Sequence, residues 1–199
     1  MIISHKHKFI FVKTFKTAGS SVEKYLYDYL GPSDILRGSE HDNTPSLNAA
    51  SKGRHKTAHE IKSKYPKEWN SYFKFSIDRN PWDVAVSWFY WMKHAGRIQD
   101  YTFDDWLKQA NYDGFKNWNR YTIDNKVVVD KVLKYENLKD EIKTIPIPYN
   151  GELETVFVKS GYRKDHHYSD MYNNETSKII KDNFPEVIKM FEYNFLDNI

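Results

Sequence analysis

Residues 9–21 restrict the possible folds of this chain more than any other stretch. The stretch begins with an apolar run, residues 9–12, whose β-branched and aromatic side chains and short length are typical of a buried strand. A small polar segment follows at residues 14–21, and apolar side chains then recur at helical spacing over residues 22–30. The pattern therefore predicts a strand, a tight loop and a helix in direct succession.

A loop between a strand and a helix is suited to bind an anion. The first amide groups of the helix lack intrahelical partners, and the aligned peptide dipoles place partial positive charge there. Lys16 adds a full positive charge, and Gly19 allows the backbone to approach a ligand closely. The segment also contains three hydroxyl donors, which are Thr17, Ser20 and Ser21. We refer to residues 14–21 as the anion loop and expect it to bind phosphate or sulfate.

The anion loop does not match the P-loop pattern of nucleoside triphosphate-binding proteins, G-x-x-x-x-G-K-[ST]. In that pattern the lysine follows the last glycine, whereas Lys16 precedes Gly19. The first glycine of the pattern is also missing. The sequence therefore argues against an ordinary ATP or GTP site.

Composition narrows the class of protein. A chain of 199 residues with 40% hydrophobic and 29% charged residues suits one globular domain, which we expect to span residues 1–199. The chain has no cysteine, which excludes disulfides, thiolate catalysis and cysteine-based zinc sites. The net charge of +3, without a block of Lys or Arg, does not favour nucleic acid as a partner.

Apolar runs and the amino-terminal residues indicate the compartment. No apolar run approaches the roughly 18 residues of a membrane span. Residues 1–6 also lack the pattern of a signal peptide. We therefore expect a cytoplasmic protein without a membrane span.

A second strand-to-helix junction follows later in the chain. Residues 72–77 alternate apolar and polar side chains and predict a strand. Asn80 suits a helix N-cap and Pro81 suits the first helical position, and Asp83 stands where it would complete the cap. The sequence thus predicts a helix that begins directly after the strand.

Two histidines lie between the junctions. Thr57 and Glu60 have the spacing of a capping box, so a helix should begin there. His55 would then precede this helix and His59 would lie in its first turn. Histidine is the side chain best suited to remove a proton from an alcohol near neutral pH.

These motifs resemble those of sulfotransferases that use 3′-phosphoadenosine 5′-phosphosulfate (PAPS). The family loop reads roughly Pro-Lys-Thr-x-Gly-Thr-Ser, and this chain has Lys-Thr-Ala-Gly-Ser-Ser with Phe15 where proline is usual. The string Arg-Asn-Pro-Trp-Asp-x-x-x-Ser, from Arg79 to Ser87, is similar to the family's 3′-phosphate motif. His-x-Thr-Ala, beginning at His55, is similar to the segment with the catalytic base. The resemblance is weakest over residues 31–53 and 92–125.

The resemblance implies a fold as well. Strands followed by helices, with anion sites at the strand ends, predict an α/β domain with a mostly parallel central sheet covered on both faces. The family implies the three-layer sandwich of the P-loop NTPase-like sulfotransferase fold. We interpret the polar, irregular residues 31–53 as a long loop and a lid on the acceptor side.

The resemblance also implies which residues bind the sulfonyl donor. The 5′-phosphosulfate would contact the anion-loop residues Phe15, Lys16, Thr17, Ala18, Gly19, Ser20 and Ser21. Arg79 and Ser87 would bind the 3′-phosphate, although their spacing alone does not show that they converge on one anion. Lys159 and Arg163, in a basic loop, are further candidates for the 3′-phosphate or adenosine side.

The expected reaction is transfer of a sulfonyl group from PAPS to an acceptor hydroxyl, with PAP as product. His55 would act as the base, with His59 as the weaker candidate, and Lys16 would stabilise the leaving group. No metal is expected, because no carboxylate pair is convincing as a magnesium site, although Asp78 and Asp83 stay open.

The acceptor and two other functions stay open. A carbohydrate or another small alcohol is expected as acceptor, with a lipid or peptide as further possibilities. The competing interpretations are a P-loop-type kinase with a degenerate motif and a non-catalytic module that binds PAP or a nucleotide. The oligomeric state is not determined by the sequence.

Overall fold

The computed structural model describes residues 1–36, 55–151, 153 and 167–196. Contacts divide the chain into two compact units, the first made of Met1–Asp78 and Asn117–Val158 and the second of Arg79–Lys116 and Lys159–Ile199. A single domain over residues 1–199 stays a prediction. Most of residues 31–53, expected to form a lid, lie outside the described residues.

The described strands all belong to the first unit. They are β1 (Ile2–Ser4), β2 (Phe9–Val12), β3 (Ile35–Leu36), β4 (Phe73–Asp78), β5 (Thr122–Ile123), β6 (Lys126–Val127) and β7 (Lys131–Lys134). Five of them form one sheet in the order β3-β1-β2-β4-β7, and β5 pairs with β6 in a separate hairpin.

The five-stranded sheet is mixed, which corrects the expectation of a mostly parallel one. β2 pairs with β4 and β4 with β7 in parallel, whereas β1 is antiparallel to both β2 and β3. The reason is the connection between β1 and β2, a turn over residues 5–8. Such a short turn permits only antiparallel pairing, because parallel neighbours need a long crossover. The α/β class is confirmed, and the three-layer arrangement stays a prediction.

Helices occur in both units. Those of the first unit are α1 (Gly19–Tyr27), α2 (Ala58–Lys64), α3 (Pro66–Ser71), α6 (Trp118–Tyr121) and α7 (Leu138–Glu141). Those of the second are α4 (Pro81–His94), α5 (Phe103–Lys108), α8 (Asn174–Asn183) and α9 (Pro185–Phe191). Within the described ranges, none has the length and apolar character needed to cross a membrane.

Each unit has a hydrophobic core of its own. In the first unit, aromatic and aliphatic side chains of the central strands pack under α1, and the rings of Phe11 and Phe75 stack with their centroids 4.9 Å apart. In the second unit, aromatic side chains dominate, including the buried Trp82, Phe89 and Phe115. Since burying an aromatic side chain removes a large apolar area from water, these clusters hold the helices of the second unit together.

Candidate functional site

The anion loop begins where two parallel strands end side by side. The register places Val12 of β2 opposite Ser76 of β4. The Ser76 hydroxyl donates to the carbonyl of Val12 at 2.8 Å, and the Thr14 hydroxyl donates to the carbonyl of Ile77. These bonds fix the start of the loop to the carboxyl end of the neighbouring strand.

The backbone of the loop adopts a conformation that L-residues seldom take. Lys16 has φ 58° and Ala18 has φ 57°, both in the left-handed region. A non-glycine residue in this region costs about 1 to 3 kcal/mol, and such residues cluster at functional sites. Backbone of this kind points successive N–H groups into one concavity, which can hold an anion.

The helix after the loop begins without a side-chain cap. α1 starts at Gly19, with Ala18 at the N-cap position, and no side chain of the described residues caps it. The first amides of a helix have no intrahelical acceptor, which here applies to Gly19 and Ser20. The junction therefore combines left-handed loop backbone with a helix N-terminus, the arrangement that favours phosphate or sulfate.

The predicted hydroxyl and lysine donors of the loop differ in their surroundings. Lys16 and Ser20 are partly buried at the loop. The Thr17 hydroxyl is fully buried and shares a 2.8 Å hydrogen bond with Thr14. Ser21 is also buried. Thr17 thus supports the loop from beneath.

A second lysine lies directly under the anion loop. Lys13 is buried, and its Nζ lies 2.5 Å from Oε2 of Glu23 and 3.2 Å from Oγ of Ser20. Its alkyl chain covers Gly19, where an added Cβ would lie only 2.9 Å from Lys13 Cγ. Gly19 is therefore needed for the close packing of α1 on this lysine.

His55 lies beside the loop with a defined tautomer. Its Nδ1 is 3.3 Å from the carbonyl oxygen of Lys13. Because a carbonyl only accepts, Nδ1 has the hydrogen and Nε2 has the lone pair. Burial, and then the positive charge of Lys13, lower the pKa of His55 to about 3. The imidazole is therefore neutral at neutral pH. His59 is exposed on the first turn of α2.

Side chains of α4 and the residues before it form the second predicted anion site. Arg79 donates from Nε at 2.9 Å and from Nη2 at 2.5 Å to Oδ2 of Asp83. Asp83 and Ser87 are four residues apart and therefore share a helix face. Asp83 therefore holds the Arg79 guanidinium on the face of α4 on which Ser87 lies, one turn further along the helix. Lys159 and Arg163 lie outside the described residues.

Comparison with known proteins identifies the family. The family model Sulfotransfer_2, described as the sulfotransferase family, matches residues 1–146. The chain belongs to the sulfotransferase family. No curated protein and no solved structure matches this sulfotransferase. The family supports sulfonyl transfer as the general chemistry, and the matched region contains the anion loop, His55 and the segment from Arg79 to Ser87.

The two carboxylates considered for a metal have protein partners in this sulfotransferase. Asp78 accepts from the Tyr121 hydroxyl at 2.6 Å and from Asn117 Nδ2 at 3.1 Å. Asp83 binds Arg79 through Oδ2, and its predicted role in the cap of α4 stays a prediction. Asn80 caps α4 through a bond from the Trp82 amide. Among the described residues, no group of three or more His, Cys, Asp or Glu is placed to hold a metal ion.

Sequence reasoning missed three residues of the candidate site. Asn117 and Arg120, at and within α6, contact Phe15 and His55, and Lys13 supports the loop. Lys13 could have been suspected, because a lysine at the end of an apolar strand is unusual. Asn117 gave no local signal, since its bonds to Phe15 join residues 102 positions apart.

Proposed function

We propose that this chain is a PAPS-dependent sulfotransferase that transfers a sulfonyl group to an acceptor hydroxyl. The observation that supports this most is the left-handed backbone at Lys16 and Ala18 before the uncapped start of α1. In a member of the sulfotransferase family, such a site suits the 5′-phosphosulfate of the donor.

Further residues are proposed to bind the donor. Lys16 and the amides of the anion loop would bind the phosphosulfate, and Arg79 and Ser87 would bind the 3′-phosphate. Asp83 holds Arg79 by two bonds to one carboxylate oxygen, which limits the rotation of the guanidinium. An arginine fork held in this way suits the planar recognition of a phosphate. Lys159 and Arg163 stay candidates for the same end of the donor.

The proposed chemistry is an in-line displacement at sulfur. The acceptor oxygen forms a bond to sulfur while the bond between sulfur and the 5′-phosphate oxygen breaks, and its electron pair leaves with PAP. His55 removes the acceptor proton through Nε2, since Nδ1 is committed to the Lys13 carbonyl. Lys16 and the loop amides stabilise the charge that develops on the leaving oxygen. These groups supply the positive field without a metal ion.

The acceptor is proposed to be a carbohydrate or another small alcohol. A lipid or peptide hydroxyl could undergo the same displacement. A panel of acceptors from these four classes, assayed with labelled PAPS, would identify the one that receives the label. Labelling of a sugar or small alcohol supports the proposed acceptor, and labelling confined to a lipid or peptide overturns that part.

Calorimetry with PAP and ATP tests the donor. We expect PAP to bind at least tenfold more tightly than ATP, because only PAP has a 3′-phosphate for Arg79. An Arg79→Lys variant, which keeps the charge and loses the fork, should weaken PAP and leave ATP nearly unchanged. Tighter binding of ATP would favour the kinase instead.

Removal of the base tests the chemistry. We expect His55→Ala to lower the rate of sulfonyl transfer by about 100-fold or more, the usual contribution of a general base. The affinity for PAP should change little, because the anion loop is intact. A His59→Ala variant serves as the comparison. Equal rates in wild type and His55→Ala would disprove the assignment, and a loss confined to His59→Ala would identify His59 as the base. Tight PAP binding without transfer to any acceptor would indicate a non-catalytic module.

A further inference from the structure

Phe15, the residue that stands where the family loop usually has proline, contacts two polar side chains through its ring. The imidazole of His55 stacks on it with ring centroids 4.3 Å apart and planes at 30°. The guanidinium carbon of Arg120 lies 4.7 Å from the ring centroid, within the range of a cation–π contact. Nη1 of Arg120 also donates to the carbonyl of His55 at 2.8 Å. Phe15, His55 and Arg120 thus contact one another pairwise.

The backbone of Phe15 is bound by a buried side chain. Its amide donates to Oδ1 of Asn117 at 2.7 Å, and its carbonyl accepts from Nδ2 of the same residue at 3.0 Å. Asn117 Nδ2 also donates to Asp78 at the end of β4. Proline has no N–H and could not donate the first of these bonds. The bond to Oδ1 of Asn117 therefore requires a residue with a backbone N–H at position 15.

These contacts restrain His55 on three sides. Nδ1 is bound to the carbonyl of Lys13, the ring face is covered by Phe15, and the backbone carbonyl is bound by Arg120. Nε2 is the ring atom left for a substrate. We propose that Phe15 and Arg120 are positioning residues that hold the His55 imidazole in the orientation required for proton removal. This inference rests on the proposed function only for its predicted effect on the rate of sulfonyl transfer.

Several charged groups act on the imidazole. Lys13 and the Met1 amino group disfavour its protonation, and Glu23, which binds both of them, favours it. Arg120 is bound to the carbonyl of the same residue. Loss of the Phe15 ring would let water reach the imidazole, and hydration favours the charged form. The position of the Phe15 ring therefore affects the pKa of the His55 imidazole.

Titration of His55 by nuclear magnetic resonance tests the positioning without any turnover. The His55 signal is assigned by its loss in His55→Gln. In the wild type we expect no titration of this signal between pH 8 and pH 5. In Phe15→Leu we expect its midpoint to rise into this window, toward the usual 6.5. Phe15→Tyr, which keeps the ring, should restore the wild-type behaviour.

Trp118→Leu is the matched control, because Trp118 is an aromatic residue of α6 whose ring contacts are with Tyr121 and Asn125. It should leave the His55 titration unchanged. Circular dichroism confirms that each variant is folded. An unchanged titration in folded Phe15→Leu, or an equal shift in Trp118→Leu, overturns the proposal.

Kinetics of Arg120→Gln separates positioning from donor binding. Glutamine has no charge for the cation–π contact, and its side chain is shorter than the arginine that donates to the His55 carbonyl. We expect kcat to fall about tenfold, with KM for PAPS and the Kd for PAP within twofold of wild type, since misplacement of a catalytic group affects mainly the chemical step. A large loss of PAP affinity would show that Arg120 binds the donor instead. If the wild type transfers no sulfonyl group, the proposed function fails, and the titration still decides whether Phe15 positions His55.

Discussion

Individual residues of the anion loop show how close packing and an unusual backbone occur together. Lys16 and Ala18 have positive φ, and the next residue, Gly19, packs directly on the Lys13 side chain. Glu23 keeps that lysine in place, because separating a buried ion pair leaves an uncompensated charge. The loop is therefore held from beneath by a pair that sequence patterns did not reveal.

Substitution of Gly19 tests this packing. Gly19→Ala places a methyl group 2.9 Å from Lys13 Cγ, and the buried lysine cannot move without disturbing its bond to Glu23. We expect a loss of about 1 to 3 kcal/mol in the free energy of unfolding, as overpacking usually costs, measured by urea denaturation. Gly114→Ala is the control, because a Cβ there would contact nothing within 4 Å. Equal stabilities of the two variants would contradict the proposed contact.

The lowered pKa of His55 predicts how stability depends on pH. The pKa is about 3 in the folded chain, against the ordinary 6.5, so the unfolded chain binds an extra proton between these values. Its contribution to stability is therefore complete above about pH 6.5 and decreases as the pH falls through that window. We expect His55→Gln to lose less stability than the wild type between pH 7.5 and pH 5 in urea denaturation.

A His55→Gln variant with the full wild-type dependence would show that His55 does not contribute to it.

The sequence singled out residues with local signals and passed over residues with distant partners. Lys16 and Gly19 were found because their neighbours in sequence define the loop. Asn117 and Arg120 were missed because their contacts with Phe15 and His55 exist only in the folded chain. The sequence showed that Phe15 departs from the family loop pattern, but it did not show which residues Phe15 contacts.

At the level of elements, helix starts were the most predictable features. The capping box of Thr57 and Glu60 is confirmed, and so is the cap of Asn80 on α4. Pairing of strands was less predictable, since the antiparallel β1 and β3 are very short. The register of β1 on β2 depends on the turn over residues 5–8 and not on a pattern within the strands.

Loss of the cap on α2 is testable. In Thr57→Ala, the amide of Glu60 loses its acceptor and the capping box is broken. We expect the free energy of unfolding to fall by about 1 kcal/mol, measured by thermal and urea denaturation. Ser63→Ala, at an exposed position of the same helix, should change stability by less than about 0.5 kcal/mol. A larger loss in Ser63→Ala than in Thr57→Ala would contradict the cap.

At the level of the whole molecule, the sequence predicted the α/β class and the order of the two strand-to-helix junctions. It did not predict the mixed sheet or the division of contacts into two units. Local patterns determine which segments become helices and strands, whereas the grouping of segments depends on contacts between distant residues. The family match over residues 1–146 includes parts of both units.

The bond between Phe15 and Asn117 has a consequence for biosynthesis. The bonds of the Phe15 amide and carbonyl to Asn117 can form only after residue 117 has been translated and has emerged from the ribosome. Nascent chains that end before this point would contain the whole anion loop and His55 without the asparagine that binds the backbone of Phe15. The candidate site would therefore be completed late on the ribosome, although most of its residues are made first.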